Sequence, residues 1–293
     1  FVPITSIVAG FRKTIIHGFS KDWSDYTLNE AVKPSHQLGP SGHVYSPSSV
    51  SYVSYRAPKH SVYLSSFNQV KLYYGTGSEK NKVKVVFDTF SKQFVLSVTN
   101  SVNEMVLNDS GDVSSLSLSF NCITPQNIYG LSFESKNGVA LDNYSFRGNS
   151  GLALTKIPSL VFQGFNNFFD YKLIVLHYGL NVVSHDIKDY SWYETGLNNM
   201  LDHIKENFPD ASILVVSVND KSYKGQNGWE TEPDIPILVE VQRKVAEKKG
   251  VAFWNLYEAM GGYNSMVRWV EGDTVMGNKD YTHPNHVGAK RIS

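Results

Sequence analysis

"KLIVLHYGLN", Lys172 to Asn181, is the stretch on which the fold turns. Its first part is a nearly unbroken apolar run, the pattern of a strand buried on both faces rather than one. A Gly-Leu-Asn step then ends it. Two further runs of the same kind follow, "ASILVVSV" from Ala211 and "GVAFWNLY" from Gly250. Helical patterns separate them. "SWYETGLNNMLDHIKENF" spaces Leu197, Met200, Leu201 and Ile204 along one helical face. "DIPILVEVQRKVAEKKG" groups Ile237, Leu238, Val241 and Val245, then stops in lysines and Gly250. Strand and helix in alternation predict a parallel sheet covered by helices on both faces. Functional residues of such sheets gather at the carboxyl ends of the strands.

Upstream the texture differs. From about Ser49 to Ser135 the period is two, as in "SSLSLSF", where Leu116, Leu118 and Phe120 alternate with serines. Turn signals such as "GTGSEKN" and "NDSGD" divide the runs, which predicts an antiparallel β-sandwich. Its tyrosines Tyr52, Tyr55, Tyr63, Tyr73 and Tyr74 could stack on sugar rings, but strand aromatics ordinarily pack on a sheet face.

The 293 residues are 41% hydrophobic and 18% charged, with 27 basic and 27 acidic side chains. Zero formal charge offers no basic footprint for nucleic acid or an anionic membrane. No apolar run reaches the roughly 20 residues of a membrane helix. The lone cysteine, Cys122, reads as a small buried hydrophobe, and no cysteine cluster offers a zinc site.

Three element ends carry chemistry. "RGNSG" spans Arg147 to Gly151, "YGLN" ends at Asn181, and "DYTHPNH" places Asp280 three residues before His283. A glycine N–H and an amide side chain are donors fit for an oxyanion hole. A histidine with a carboxylate to orient it is a general base. Pro284 fits the first position of a helix, which puts His283 at its mouth. Each motif alone also reads as a turn or a polar cap. Asp280, His283 and His286, spaced by threes, with His177 at a strand end, would alternatively suit zinc or iron.

Taken in order, the three blocks resemble the SGNH (GDSL-type) hydrolases and acyltransferases, and the text near them resembles the branch that deacetylates cell-envelope glycans. The resemblance implies a flavodoxin-like sheet interrupted by a carbohydrate-binding-type, jelly-roll-like β module, entered near "LGPSGHVYSP". The expected organisation is 1–45 as a remnant of the N-terminal hydrolase part and entry to the insertion, 46–137 as the β module, and 138–293 as the main hydrolase part. The implied roles are base for His283, orienting carboxylate for Asp280, and oxyanion donors for Gly148 and Asn181. The implied reaction is removal of acetyl groups from a glycan outside the cytoplasm, without metal or organic cofactor. Transfer of the acetyl group to another sugar uses the same residues, and a non-catalytic glycan-binding protein is the other alternative.

One block is missing. The family's Gly-Asp-Ser nucleophile has no counterpart, because Gly111-Asp112 precedes Val113 and Gly272-Asp273 precedes Thr274. The opening "FVPITSIVAGF" resembles text that follows that block, so an N-terminal segment carrying the nucleophile is expected to complete the fold. Ser20 and Ser150 are the candidates within the chain.

Overall fold

The computed structural model describes residues 1–5, 14–30, 35–59, 65–109, 111–135, 137–185, 187 and 189–293. They form two compact units: Phe1–Phe146 with Lys156–Phe169, and Arg147–Thr155 with Asp170–Ser293.

The first unit holds β1 (Val2–Pro3), β2 (Ile16–Phe19), β3 (Ser24–Thr27), β4 (His43–Ser46), β5 (Tyr52–Arg56), β6 (Gln69–Tyr74), β7 (Lys82–Phe87), β8 (Ser91–Val95), β9 (Asn103–Asn108), β10 (Ser115–Asn121) and β11 (Ile128–Glu134). Two antiparallel sheets result, β3-β4-β11-β6-β9 with β1 also on β11, and β2-β5-β10-β7-β8. Alternation decides which face is dry. Leu116, Leu118 and Phe120 point inward from β10, with Leu118 opposite Val53 and Val85, while the serines face out. Val70, Leu72 and Leu131 of the other sheet join them in one core. Each such buried side chain contributes about 1.5–3 kcal/mol of transfer free energy. Cys122 is buried there, and burial pushes its thiol up to about 12. Tyr55, Tyr73 and Tyr74 are buried, Tyr52 is 48% exposed, and Tyr63 lies outside the described residues.

The structure divides the chain differently from the sequence pattern. Residues 1–45, expected as a hydrolase remnant and entry segment, supply β1, β2, β3 and most of β4 to the sandwich sheets. α1 (Ser159–Phe169), expected in the hydrolase part, belongs to the sandwich unit. Its Phe165 meets Tyr129 edge-on at 5.3 Å, and Gly164 allows close approach, since a Cβ there would stand 2.8 Å from Val102. The helix is apolar on the face that finds these rings, a partnership that period and spacing do not encode.

The second unit holds β12 (Leu173–His177), α2 (Ser191–Asn207), β13 (Ser212–Val216), the hairpin β14 (Ser222–Gly225) and β15 (Gly228–Thr231), α3 (Asp234–Lys249), β16 (Ala252–Trp254), α4 (Leu256–Ala259), α5 (Ser265–Glu271) and α6 (His286–Ile292). β12, β13 and β16 are parallel, in the order β12-β13-β16. Register places Leu173, Val175 and His177 on the same face as Leu214 and Val216. Val216, Leu256, Met260, Met266 and Trp269 form a core on that face, with Leu214 and Ile292 against it. The β12 part of the face is bare: Leu173 is 57% and Val175 52% exposed. Helices on both faces therefore describe the sheet only in part among the described residues.

The four residues expected to line α2 are all buried. On α3 the buried track is Ile235, Leu238, Val239, Gln242, Val245 and Ala246, and Ile237 is 40% exposed. A glutamine in the middle of the true stripe made the neighbouring track look more apolar. The helix ends at Gly250 in the left-handed conformation, φ 64°.

Candidate active site

Asp280 and His283 sit in the loop before α6. Asp280 Oδ1 accepts the backbone N–H groups of Thr282 and His283, both at 3.0 Å, and Oδ2 meets His283 Nδ1 at 2.7 Å. Both carboxylate oxygens are thus committed, and the imidazole is held by the nitrogen that leaves Nε2 to face outward. Partial burial raises the Asp280 pKa, but the bonds from the His283 N–H, the His283 ring and the Thr282 N–H outweigh it and leave the carboxyl below its ordinary value. Asp280 therefore stays ionised wherever an imidazole can act as a base.

Helix α6 starts later than the sequence pattern implies. Asn285, not the residue before Pro284, is the cap: its Oδ1 accepts from Val287 N at 2.8 Å and Gly288 N at 3.0 Å. Pro284 is paired with Gly277 in an isolated bridge, and His286 is the first helical residue. An asparagine side chain satisfies two end donors, which Pro284 at the first position cannot do. His283 is consequently a loop residue two positions clear of the helix.

The loop is fastened from the β13 side. Asn219 Nδ2 donates to the Thr282 carbonyl at 2.9 Å, and Ser222 N donates to the Tyr281 carbonyl at 2.9 Å. Tyr281 has a left-handed backbone, φ 53°, which for a tyrosine costs about 1–3 kcal/mol. Its ring stacks on Trp229 at 3.8 Å and 9°, a pairing that offsets about 0.5–1.5 kcal/mol. Behind Asn219, the fully buried Asp220 accepts from Thr231 Oγ1 (2.9 Å), Met266 N (2.7 Å) and Ser265 Oγ (3.3 Å). Burial raises its pKa in spite of these bonds.

One donor block, Gly148 to Gly151, precedes α1, and the other, Asn181, lies after β12. Gly179 ends that strand with φ 111°, and a Cβ there would press on Gln242 Nε2, Tyr193 Oη and Val218 at 2.9–3.0 Å. No other residue type meets both demands. The turn this permits presents Asn181 to solvent, with Nδ2 donating to the Asn149 carbonyl at 3.2 Å. Asn149 Oδ1 accepts from Gly151 N at 2.7 Å, and Gly148 has φ 74° with open space where a Cβ would stand. The structure therefore brings Asn181 to the Gly148–Gly151 block, and Asp280 to His283. Asn181 follows β12, and the Asp280–His283 loop is tied to Asn219 and Ser222, which follow the neighbouring strand β13.

Ser150 Oγ accepts from Leu152 N at 3.4 Å, at the start of the 3-10 turn Leu152–Lys156. Ser20 closes β2 in the sandwich, where its Oγ accepts from Tyr52 N at 3.0 Å. His177 lies on the bare row of β12, and among the described residues no group of three His, Cys, Asp or Glu could hold a metal ion. Gln242, which sequence reasoning missed, joins the two loops: Oε1 accepts from Val218 N at 2.9 Å and Nε2 donates to the Tyr178 carbonyl at 2.8 Å. Its signal was a polar residue interrupting an apolar helical stripe.

One loop thus holds an imidazole oriented by a carboxylate, and another gathers an amide and glycine backbone as hydrogen-bond donors. The GDSL-like lipase/acylhydrolase family model matches residues 124–291, more than half of the chain, and the chain belongs to that family as an esterase. Among solved structures, that of a peptidoglycan O-acetylesterase is similar over 99% of this chain and 78% of its own, with 17% identity and a TM-score of 0.73. A family two carbohydrate esterase from Cellvibrio japonicus is 10% identical over 79% of this chain and 87% of its own, with a TM-score of 0.27. A GDSL-like lipase from Bacteroides ovatus is 10% identical over 95% of this chain and 94% of its own, with a TM-score of 0.35. No curated protein matches the sequence significantly. No helix among the described residues is long and apolar enough to cross a membrane.

Proposed function

We propose that the protein is a serine esterase that removes O-acetyl groups from a cell-envelope polysaccharide, outside the cytoplasm, through an acyl-enzyme. The observation that carries this reading is the Asp280–His283 pair, in which one carboxylate oxygen is fixed by two backbone N–H groups and the other holds His283 Nδ1 at 2.7 Å.

The steps follow from residue types. A serine hydroxyl is a weak nucleophile at neutral pH and needs a base. His283 Nε2 takes its proton as the oxygen attacks the acetyl carbonyl. Asp280 keeps the imidazole in the tautomer that leaves Nε2 free and stabilises the imidazolium that forms. The Gly148 N–H and the Asn181 amide hold the tetrahedral oxyanion, with Asn181 turning from the Asn149 carbonyl to do so. The intermediate collapses, the sugar oxygen leaves with the proton from His283, and water reverses the sequence to release acetate.

The nucleophile belongs, on this reading, to a segment outside these 293 residues. The bare apolar row of Leu173 and Val175 supports it, because such a row on a parallel strand calls for cover. That segment would complete the sheet beside β12. The sandwich, entered from the hydrolase part, is a jelly-roll-like carbohydrate-binding module that holds the polymer. The test is active-site trapping: the natural full-length protein is treated with a fluorophosphonate, and the adduct is located by mass spectrometry. An adduct on a serine outside this stretch supports the proposal, whereas one on Ser20 or Ser150, or esterase turnover with no adduct, sinks it.

A further inference from the structure

We infer that Trp229 of the β14–β15 hairpin is a positioning residue for the His283–Asp280 pair. The kinetic part of this inference rests on the esterase reading; the structural part does not.

Asp280 and His283 are joined through Tyr281 and Thr282, so the backbone of those two residues sets where the carboxylate and the imidazole point. Tyr281 is in the left-handed region, φ 53°, which a tyrosine leaves readily when nothing restrains it. Four contacts restrain it. Its N–H donates to the Asn278 carbonyl at 3.0 Å and its hydroxyl to Glu271 Oε1 at 2.6 Å, while its ring lies flat on Trp229. Its carbonyl is also tied to Ser222, which is the first residue of β14 and pairs with Thr231 at the far end of the same hairpin. Trp229 stands on β15 opposite Lys224, so the hairpin grips Tyr281 at two points, one through backbone and one through a ring.

If the ring contact goes, the peptide after Tyr281 is held only by Ser222 on its carbonyl and Asp280 on its N–H, and the strained turn loses a side-chain restraint. That peptide carries the Thr282 N–H, one of the two donors on Asp280 Oδ1. Its rotation also displaces the His283 N–H from the same oxygen and the His283 ring from Oδ2. Trp229 and Tyr281 are only half-buried, so their stack is a modest part of the core yet a direct constraint on this turn.

The test uses the natural full-length protein with Trp229→Ala, Trp229→Leu, which keeps bulk but loses the flat ring, and Trp229→Phe, which keeps the ring. The first readout is the NMR signal of the His283 Nδ1 proton bonded to Asp280. It is expected in the parent and in Trp229→Phe, and lost or in rapid exchange with water in the Ala and Leu variants. The second readout is ester hydrolysis, where Ala and Leu should lower kcat about ten- to a hundredfold with KM within about twofold, as misplacement of a catalytic group does. An unchanged Nδ1 proton signal in Trp229→Leu overturns the inference, even if that variant melts earlier, because a merely stabilising residue behaves that way. A parent protein that shows the signal but no hydrolysis overturns the esterase reading and leaves the positioning role supported.

Discussion

Replacing Asp280 with asparagine changes one atom and should remove nearly all turnover. The side chain has two different tasks on its two oxygens. Oδ1 takes two backbone N–H donors, so an asparagine must keep its carbonyl oxygen there or set both against an NH2 group. Its NH2 then faces His283 Nδ1, where Oδ2 stood at 2.7 Å. A donor at that place requires Nδ1 to accept, which moves the ring proton to Nε2, the nitrogen that must take a proton from the nucleophile. The wrong tautomer of a triad costs about 10⁴ in kcat, equivalent to about 5.5 kcal/mol of barrier. The assay is steady-state hydrolysis of an activated acetate ester by the natural full-length protein, read as kcat with substrate saturating. Asp280→Asn activity within about tenfold of the parent would refute the assigned orientation. Acid removes the same carboxylate charge reversibly, and its effect is read as stability rather than turnover. The folded pKa of Asp280 is depressed from 3.8, so the stabilisation it gives the loop is present above that ordinary value. It is lost only as pH falls through the lower folded value.

Asn181→Ala should lower kcat by about 10²–10³ with a smaller effect on KM, because the oxyanion exists chiefly in the transition state. Rate and KM from the same ester assay check it. Asp220→Asn should flatten the pH dependence of thermal unfolding, measured as Tm from acid to neutral pH. The native carboxyl, raised by burial, binds its proton more tightly than the unfolded one. Stability therefore falls as pH rises from 3.8 through the raised value, and the neutral amide has no such slope. An identical slope in both proteins would show that Asp220 is not the source.

Much of the α/β part is legible in the sequence because its signals are local. Long apolar runs gave β12, β13 and β16, and the spacing in α2 gave its buried face. Motif spacing also suffices to pair Asp280 with His283, since a separation of three positions lets the two side chains meet directly. The failures have physical causes. Gln242 hid the buried track of α3 because its amide bridges two loops from inside an apolar stripe. Asn285 displaced Pro284 as the start of α6 because a side-chain cap outweighs a pre-set φ. Strands β1 to β4 and helix α1 joined the sandwich unit through pairings and ring contacts that no local period records. The Trp229–Tyr281 stack joins residues distant in sequence and was invisible for the same reason.

The most direct test of the account is acetate release from an O-acetylated cell-envelope glycan by the natural full-length protein and by His283→Ala. The parent should release acetate, and the variant should be slower by about 10⁴–10⁶-fold, since it lacks the base for the nucleophile and the acid for the leaving oxygen. Acetate release by His283→Ala at the parent's rate would contradict it.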